Sequence, residues 1–455
     1  MAPFCYRLKL YLKPYLLSGS SCIVQDCIWL LVINYVKIIN MLSLDFIRAN
    51  KEKVIEAAKN KNRKVEIDKI SALDDERRLL IQKIQVLREE RNKTSHGKPD
   101  EKTIKRGKEI KEEIKKLEDQ LSTNHQSLDT LLSFVPNVPL DEVPIGKNED
   151  DNVEVKKWGK IPEFDFEVKS HLDLGLSLDL FDLERGSKVS GFRGYFLKNQ
   201  AAQLQFAILF YVFQKLVARG YTPIIAPSIV KGFTLFGSGQ FPWGEQEVYK
   251  LNDEDAYLAG TAEVPVTSYF SGEILNEKDL PKKFVAFSPC FRREAGSYGK
   301  DVKGLYRVHE FWKVEQVIIA GSDIEESKKL HNELQKNTEE IMEDFNIPYR
   351  RLMMCTGDMG EPQIKKYDTE IWMPYRNGYG EIASNSIMGD FQTRRLKIKY
   401  RKKDGSTEYC YSLNDTAIPS PRILIAILEN YQQKDGSIKV PEVLQRLVGF
   451  DIIKK

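Results

Sequence analysis

Cysteine and histidine are scarce in this sequence, and they are spread too widely to form a metal site. The 455 residues include 6 cysteines and 5 histidines, and no pair of cysteines has the spacing of zinc ligands. Cys290, Cys355 and Cys410 are far apart, and the other cysteines lie near the N-terminus. The sequence therefore predicts a reducing compartment, no disulfide framework and no zinc, with Cys290 and Cys355 as inert core thiols.

An excess of one charge is also missing. Lys and Arg number 69 against 66 Asp and Glu, a net charge of +3, so the chain as a whole does not demand a nucleic acid partner. The sequence also lacks the Walker loop and the dinucleotide-binding glycine fingerprint, so a nucleotide would be bound in another way. Hydrophobic residues make up 42% and charged residues 30%, which is typical of a globular chain with two or three domains.

Long apolar runs are almost confined to residues 1–40. Asp26 interrupts the apolar run there, and no small-residue cleavage site follows. The stretch that begins at Met41, MLSLDFIRANKEKV, is typical of a natural start. We therefore expect residues 1–40 to be a dispensable or upstream-translated extension, with an organelle leader as the alternative. We expect no later segment to reach the about 20 apolar residues of a membrane helix, and hence no membrane partner and a cytoplasmic location.

Residues 70–135 carry the pattern of two long helices. In the first, apolar residues recur at Leu73, Leu80, Ile84 and Leu87. In the second, steps of four and three residues connect Ile110, Ile114, Leu117, Leu121, Asn124, Leu128, Leu131 and Val135. This is a heptad seam, and Gly97 and Pro99 supply a turn between the helices. The pattern predicts an antiparallel two-helix coiled-coil arm with helices of about 26 and about 32 residues, each about 40 Å or longer.

The basic residues of this arm are concentrated at its tip. Residues 91–108 hold seven Lys and Arg against two Asp and Glu. A solvated charged face is the ordinary explanation of such a run, but a rigid arm with a basic end favours contact with a phosphate backbone. The candidate contacts are Arg91, Lys93, Lys98, Lys102, Lys105 and Arg106.

The remainder of the chain predicts an α+β fold. A proline-rich linker spans residues 135–146, and short β-rich runs then follow one another with few alternating βαβ units. We expect an antiparallel β-sheet domain flanked by helices, with Pro223 and Pro227 marking an edge strand. The predicted boundaries are 1–40 for the extension, 41–150 for the arm and linker, and 151–455 for the sheet domain.

Charge persists in FRREAGSYGKDVKGLYRVHEFWKVE, residues 291–315, although its flanks read as buried strands. Because side chains alternate across a strand, we expect Arg292 and Glu294 to share one face. The return strand would place five side chains on one face: Arg307, His309, Phe311, Lys313 and Glu315. Arginine grips carboxylates and phosphates, so the hairpin predicts a polar ligand pocket closed by the loop 295–305. An ion-pair network on an exposed sheet face is the alternative, and we expect His309 to be a hydrogen-bonded residue rather than a base.

A second group of carboxylates lies downstream. Glu381 precedes Ser384 in YGEIASNS, and DTEIW supplies Asp368 and Glu370. Carboxylates beside a polyphosphate commonly hold Mg²⁺. Arg422 begins a buried helix, where the helix dipole also favours phosphate. These residues predict a phosphate-binding end of the pocket.

The motifs together resemble those of seryl-tRNA synthetases, a branch of the class II aminoacyl-tRNA synthetases. Residues 291–315 resemble motif 2, AGTAEVPVT is similar to the serine-binding Thr-x-Glu loop, and SLNDTAIPSPRILIAILENY resembles motif 3. FGSGQFP and DTEIWMP…GEIAS…FQTRR are similar to other landmarks of the family. The likeness runs from Met41 to the C-terminus and includes the arm.

The resemblance implies a reaction and a set of residues. L-Serine would be activated by ATP with Mg²⁺ to seryl-adenylate, and then transferred to the terminal adenosine of tRNA(Ser), and of tRNA(Sec) where one exists. The sheet domain would be the catalytic domain of a homodimer formed around Pro227, and the arm would hold the long variable arm of the tRNA. The implied catalytic residues are Arg292, Glu294 and Arg422. The implied serine-binding residues are Thr261, Ala262, Glu263, Arg292, Glu315, Asn414 and Thr416. The implied ATP-binding residues are Arg292, Arg293, Glu294, Phe311, Glu381, Ile382, Ala383, Ser384 and Arg422, with Glu381 and Ser384 also holding Mg²⁺ through ATP.

The sequence departs from the family in motif 3, which is often rich in glycine. Here the motif reads NDTAIPSPR, which keeps the Asn-to-Arg spacing and a hydroxyl at Thr416. Asp415, Pro419 and Pro421 change the backbone options. Two alternatives to a serine–tRNA ligase remain: a related ligase that charges a carrier protein, which would lack the arm and use zinc ligands, and a silent paralogue, which would be expected to lose Arg292, Glu294 or Arg422.

Overall fold

The computed structural model of this chain describes residues 42–94, 100–295 and 304–455. The predictions for residues 1–40, for Lys98 and the turn at Gly97 and Pro99, and for most of the loop 295–305 lie outside the described residues.

The described helices and strands alternate irregularly along the chain. The helices are α1 Leu44–Ala49, α2 Lys51–Asn60, α3 Ile67–Thr94, α4 Glu101–Ser133, α5 His171–Ser177, α6 Leu183–Ser190, α7 Asn199–Ala218, α8 Gly232–Ser238, α9 Glu263–Thr267, α10 Ile324–Asp344, α11 Phe391–Leu396, α12 Arg422–Asn430 and α13 Glu442–Val448. The strands are β1 Val153–Trp158, β2 Phe181–Asp182, β3 Phe196–Leu197, β4 Thr222–Ile225, β5 Ile229–Val230, β6 Tyr249–Lys250, β7 Tyr257–Leu258, β8 Ile274–Asn276, β9 Lys282–Phe291, β10 Glu310–Ala320, β11 Tyr349–Met353, β12 Lys365–Met373, β13 Gly378–Gly389, β14 Lys399–Arg401, β15 Thr407–Tyr409, β16 Tyr411–Ser420, β17 Ile438–Lys439 and β18 Ile452–Ile453.

The helical arm is formed by α3 and α4, which pack side by side. They have 28 and 33 residues, close to the predicted lengths. Ile84, Ile110 and Ile114 form the buried seam, with Leu87, Leu117 and Leu121 packed around it. The predicted seam is wrong near its end, where Leu132 is fully buried and Leu131 only partly so. Two successive four-residue steps, from Asn124 to Leu128 to Leu132, follow the 3.6-residue period of a straight helix rather than the heptad.

The sheet domain is built on eight strands, in agreement with the predicted α+β fold. The strand order is β1-β11-β12-β13-β16-β10-β9-β4, and neighbouring strands are antiparallel except that β4 pairs in parallel with β9. The edge position of β4, which contains Pro223, confirms the prediction of an edge strand there. Helix α10 packs on one face of the sheet, where Gln316 and Asp415 contact it. Alternation therefore turns Glu315 and Thr416 toward the opposite face.

Helix α7 contradicts one expectation drawn from the sequence. Its 20 residues, Asn199–Ala218, are long and apolar enough to cross a membrane by length and composition, in contrast to the expectation for the residues after 40. Leu204, Ile208, Val212 and Leu216 on one side of α7 are fully buried in the main hydrophobic core. A single helix of this kind is weak evidence for a membrane, because a core helix has the same composition.

Candidate active site

One cleft on the face of the sheet opposite α10 brings most of the predicted site residues together. The volume of this cleft that water-sized molecules can enter is about 60 Å³. The predicted residues that line it are Arg292, Glu294, Phe311, Glu381, Ile382, Ala383, Thr416 and Arg422. Among the described residues, four separate stretches of the chain line this cleft.

Arg292 is held by contacts on two sides. It follows directly after β9, and its Nε donates a hydrogen bond of 3.2 Å to the carbonyl of Gly260 in the predicted serine loop. Its guanidinium lies 5.1 Å from the centre of the Phe311 ring. The backbone N–H of Arg292 donates to the carbonyl of His309 at 2.9 Å, and the His309 ring nitrogen Nδ1 lies 2.9 Å from the Arg292 carbonyl oxygen. His309 is therefore a hydrogen-bonded residue that supports Arg292, as expected.

The strand faces predicted for this hairpin are wrong in part. Strand β9 ends at Phe291 and β10 begins only at Glu310, so Arg292, Glu294, Arg307 and His309 lie on loops. Charged side chains are less costly on these loops than within the β-sheet, because a loop leaves them access to solvent. Glu294 has a φ of 52°, and its carboxylate accepts a 3.2 Å bond from Arg307 Nη1. Both residues still line the cleft.

A buried ion pair lies at the inner end of the cleft. The ammonium of Lys313 pairs with Glu315, and their side chains are 5% and 2% exposed. Lys313 Nζ also donates to Thr261 Oγ1 at 2.8 Å and Thr416 Oγ1 at 3.2 Å, and the Thr416 hydroxyl donates to Glu315 at 3.3 Å. Sequence reasoning placed Lys313 on this face but gave it no role. The signal was the alternation of Phe311, Lys313 and Glu315, in which a lysine between two predicted ligand residues must also face the pocket.

Glu263 lies next to this pair. Burial, and then the nearby Glu315 carboxylate, raise the pKa of Glu263 to about 7. Gln392 Nε2 donates a 2.7 Å hydrogen bond to Glu263 Oε1. Of the other predicted serine residues, Ala262 is buried just before α9 and Asn414 is buried on β16. The inner end therefore contains three carboxyl or ammonium groups and two threonine hydroxyls in place of apolar side chains.

Arg422 and Glu381 form the opposite end of the cleft. Arg422 is the first residue of α12; its Nη1 donates to the carbonyl of Glu381 at 2.9 Å, and its Nε donates to that of Tyr306 at 3.1 Å. The guanidinium lies over the Tyr306 ring, 4.4 Å from its centre. Desolvation would raise the pKa of Glu381, but Arg422 and then Lys366 outweigh it and hold the pKa below its usual range. A carboxylate beside a helix N-terminus and an arginine suits a phosphate chain with its cation.

The two carboxylates of DTEIW have separate partners. Asp368 is paired with Ser384 across β12 and β13, and Lys366 contacts the Asp368 carboxylate at 2.9 Å. Burial raises the pKa of Asp368 to about 6. Glu370 is not among the lining residues of the cleft and pairs with Arg350 at 2.6 Å. The prediction that Glu370 contributes to the phosphate-binding end is therefore wrong.

Of the predicted ATP residues, Arg293 and Ser384 are not among those that line the cleft. Ser384 follows the lining residues Glu381, Ile382 and Ala383 on β13, whereas Arg293 lies elsewhere. It lies beside a second, open cleft with Glu245, Tyr249, Lys250 and Tyr257. Its backbone N–H donates to the carbonyl of Glu247, within the segment 245–250 that lines this second cleft.

Two prolines and an acidic residue of motif 3 fit this geometry. Pro419 and Pro421 line the cleft, so their rings form part of its wall. Asp415 faces away from the cleft and accepts bonds from Thr338 Oγ1 at 2.8 Å and Gln316 Nε2 at 3.3 Å. The acidic departure from the glycine-rich motif is therefore a contact with α10 behind the sheet.

Divalent cations have few protein donors at this site. Within residues 42–94, 100–295 and 304–455, no three His, Cys, Asp or Glu side chains come close enough together to hold a metal ion. Glu381, exposed at the cleft wall, and the partly buried Ser384 offer oxygen atoms. This donor set fits Mg²⁺, which takes few protein ligands and keeps its other partners as phosphate and water.

The arm tip presents its basic residues in different ways. Lys93, Lys102 and Lys105 are exposed. Arg106, by contrast, donates from Nε to Glu90 at 2.8 Å across the two helices, and Arg91 is partly buried. The exposed lysines are therefore the better candidates for a phosphate contact.

Comparisons with known proteins agree with this architecture. The model of the tRNA synthetase class II core domain (G, H, P, S and T) matches residues 247–431, and that of the seryl-tRNA synthetase N-terminal domain matches residues 41–139. The serine–tRNA ligase of Treponema denticola is 44% identical over 423 residues, covering 91% of this chain and 100% of the relative. That of Deinococcus radiodurans is 42% identical over 415 residues, covering 90% and 98%.

Solved structures give the same result. A seryl-tRNA synthetase from Pyrococcus horikoshii, complexed with ATP, has a TM-score of 0.86 and 37% identity, with 90% of this chain and 99% of that chain covered. A cytoplasmic serine–tRNA ligase from Naegleria fowleri, in complex with AMP, has a TM-score of 0.82 and 31% identity, with 91% and 98% covered. By this likeness over nearly all of the relatives' length, the chain belongs to the seryl-tRNA synthetase family of ATP-dependent serine–tRNA ligases.

Proposed function

We propose that this chain attaches L-serine to tRNA(Ser) in two steps within the cleft between Arg292 and Arg422. The serine carboxylate attacks the α-phosphorus of ATP, forming seryl-adenylate and expelling pyrophosphate. A ribose hydroxyl of the tRNA's terminal adenosine then attacks the seryl carbonyl, and AMP leaves. The single observation that carries the proposal is that Arg292 and Arg422 line one cleft beside the buried Lys313–Glu315 pair.

Arg292 addresses the central difficulty of the first step, which is that two anions must meet. A guanidinium fixed by Gly260 and Phe311 lowers the repulsion between carboxylate and α-phosphate and orients both. The nucleophile is already ionised, so the step needs no general base. Phe311 offers a flat face to the adenine, Glu294 a hydrogen-bond acceptor, and Ile382 and Ala383 the wall of the nucleotide end.

The inner end of the cleft supplies the selection for serine. Glu315, Glu263 and the threonine hydroxyls at 261 and 416 surround the space where we place the amino acid. Alanine would leave these buried polar groups without the partner that the serine hydroxyl provides, at a cost of about 1–3 kcal/mol per group. Arg422 would take the γ-phosphate, and Glu381 with Ser384 would hold Mg²⁺, which neutralises charge on the phosphates.

We also assign a homodimer, a cytoplasmic location and tRNA binding by the arm to this proposal. An apolar surface supports the dimer. Helix α7 packs beside β4 and β9. Large apolar side chains on the outer side of α7, and in the region from β4 to α8 that includes Pro227, are more than half exposed. These side chains are Phe206, Phe210, Ile225, Ile229 and Phe233. An apolar surface of this kind beside a sheet edge marks an interface. The exposed lysines of the arm tip favour tRNA over a carrier protein as the acceptor.

A pyrophosphate-exchange assay with each amino acid tests the proposal. We expect serine-dependent exchange in the unmodified chain and its loss by at least about a hundredfold in Arg292→Ala, since removing a donor to transition-state charge typically costs that much. Lys282→Ala, at the far end of the same strand β9, is the matched control. Normal exchange in Arg292→Ala would remove the adenylation assignment, and exchange without tRNA charging would favour the carrier-protein alternative.

A further inference from the structure

The segment FQTRR is one of the stretches that resemble the family, but its residues have no part in the reaction proposed above. It lies in α11, Phe391–Leu396. Three polar side chains of this helix are almost fully buried: Gln392 and Thr393 at 0% and Arg395 at 5% exposure. Buried polar groups of this size persist only where specific partners hold them.

Arg395 contacts the root of the arm. Its Nη2 donates a 3.2 Å hydrogen bond to the carbonyl of Ser133, the last residue of α4. Its Nη1 donates to the carbonyls of Phe236 at 2.5 Å and Phe241 at 2.9 Å. The guanidinium therefore joins the end of the arm to the segment that begins with α8.

Aromatic rings surround this guanidinium. The rings of Phe236 and Phe391 lie 4.3 Å and 4.4 Å from it, and that of Trp243 lies at 5.5 Å. Phe134, the residue after α4, packs edge-on against Trp243 with ring centres 6.2 Å apart. A planar cation between aromatic faces is fixed in orientation, so the end of α4 that it contacts is held in a defined position.

Gln392 contacts the serine loop from the same helix. Its Nε2 donates to Glu263 Oε1 at 2.7 Å and to the carbonyl of Ser238 at 2.9 Å. Its Oε1 accepts a 2.7 Å bond from Ser412 Oγ, which fixes the orientation of the amide. The position of the Glu263 carboxyl is therefore set by α11.

We propose that α11 is the joint that holds the arm in register with the serine pocket, with Arg395 as a positioning residue for the tRNA and Gln392 as a positioning residue for Glu263. This inference rests on the proposed function, and it adds how the bound tRNA is oriented. A helix of less than two turns with Gln392, Thr393 and Arg395 almost fully buried keeps its two sets of contacts at a fixed separation, because close-packed interiors leave little slack.

The other root of the arm is held independently. Lys61, before α3, donates from Nζ to the carbonyls of Gly360, Glu361 and Gln363 at 3.0, 3.0 and 2.6 Å. The arm is therefore fixed at both ends, and the loss of Arg395 leaves it attached but less precisely aimed. Binding of tRNA to the tip would persist, while delivery of its 3′ end would suffer.

Arg395→Lys tests this division, with Arg394→Lys as its matched control. Arg394 neighbours it on α11 and pairs with Asp390 at 2.6 Å. For Arg395→Lys we expect single-turnover transfer of serine from preformed adenylate to tRNA to fall about tenfold, the effect of losing a charged hydrogen bond. Serine-dependent pyrophosphate exchange and the Kd for tRNA should change by no more than about twofold. Arg394→Lys should change transfer, exchange and the Kd for tRNA by no more than about twofold.

Unchanged transfer, or a fall in exchange or tRNA affinity as large as the fall in transfer, would overturn the positioning role. Active-site titration by the pyrophosphate burst reports the folded fraction. If Arg395→Lys does not fold, Phe134→Ala replaces it, because Phe134 is 43% exposed and its loss disturbs only the root of the arm. The same separation of transfer from exchange is expected there, and equal effects on both would refute the joint.

Gln392→Met tests the other end of the joint. The amide hydrogen bond stabilises the ionised Glu263, so its loss should move the change in serine KM to higher pH. The transfer of serine per adenylate should stay the same. A KM whose pH profile does not move would contradict the role given to Gln392. Failure of the proposed function itself would be seen separately, as absence of serine-dependent exchange in the unmodified chain.

Discussion

At the residue scale, the least ordinary group is Glu263, whose pKa of about 7 places its titration near neutrality. Because the folded pKa lies above the usual value of a carboxyl, Glu263 is mostly protonated at pH 6 and mostly ionised at pH 8. The ammonium of bound serine favours the ionised form. We expect serine affinity to rise as the pH increases across this window, by up to about tenfold for one unit of coupling.

Glu263→Gln checks this origin of the pH dependence. The amide is neutral throughout, so serine affinity measured by calorimetry should become nearly flat between pH 6 and pH 8. The release of protons on serine binding, measured in buffers of different ionisation enthalpy, should disappear together with the pH dependence. An equal slope of serine affinity against pH in the unmodified chain and in Glu263→Gln would assign the pH dependence to another group.

Lys313 is the second residue with a measurable consequence. In Lys313→Met the Glu315 carboxylate stays buried without its cation, which costs about 3–5 kcal/mol in the free energy of unfolding. Lys283→Met is the control, since the Lys283–Glu333 pair is 25% and 38% exposed and its loss should cost no more than about 1 kcal/mol. Urea unfolding measures both, and equal losses would contradict the structural role of the buried pair.

The sequence predicted most of the site residues but not their arrangement. Arg292, Glu294 and Arg422 were predicted through motif order, whereas periodicity placed Arg307 and His309 on a strand that begins only at Glu310. Lys313 was placed on the pocket face but given no role, because a lysine between strand residues is usually solvated. Its burial depends on threonine hydroxyls that are distant in sequence, and no local pattern reports that.

At the scale of elements, the arm was the most predictable part of the chain. Its seam repeats over many turns, so α3 and α4 could be predicted almost to their lengths. The error at Leu131 and Leu132 arises because the end of α4 follows the period of a straight helix rather than the heptad. Long periodic elements follow from local pattern, and their ends follow from tertiary contacts.

The arm tip provides a prediction at this scale. Changing Lys102 and Lys105 to Glu should raise the KM for tRNA and reduce the slope of log affinity against log salt by about 0.7–0.9 per lost phosphate contact. Serine-dependent exchange should not change. The control changes Lys115 and Lys116, which are exposed on the stem of α4, to Glu. Equal effects from stem and tip would mean that the arm acts through its overall charge.

Removal of the arm is the stronger form of that experiment. Deleting residues 75–122 should leave adenylation intact and prevent tRNA charging, because none of the residues that line the cleft belongs to α3 or α4 as the structure describes them. A rapid-quench assay of charging measures the result, with pyrophosphate exchange as the internal standard. Unchanged charging would refute the role of the arm in tRNA binding.

At the scale of the whole molecule, the apolar surface around β4 and α7 predicts the assembly. Ile225 is 79% exposed on the edge strand. Ile225→Asp should place a charge in the dimer interface and shift the sedimentation coefficient to that of a monomer. Val155→Asp on β1, at the other edge of the sheet, is the matched control and should leave the dimer intact. A monomeric unmodified chain, or a dimeric Ile225→Asp, would contradict the proposed interface.

The shared ammonium of Lys313 has a consequence for how the enzyme meets its first substrate. Thr261 and Thr416 come from well-separated parts of the chain, yet one buried cation holds both of their hydroxyls. Two walls of the amino-acid compartment are thus tied to a single side chain, and amide hydrogen exchange around Thr261 and Thr416 should speed up together in Lys313→Met.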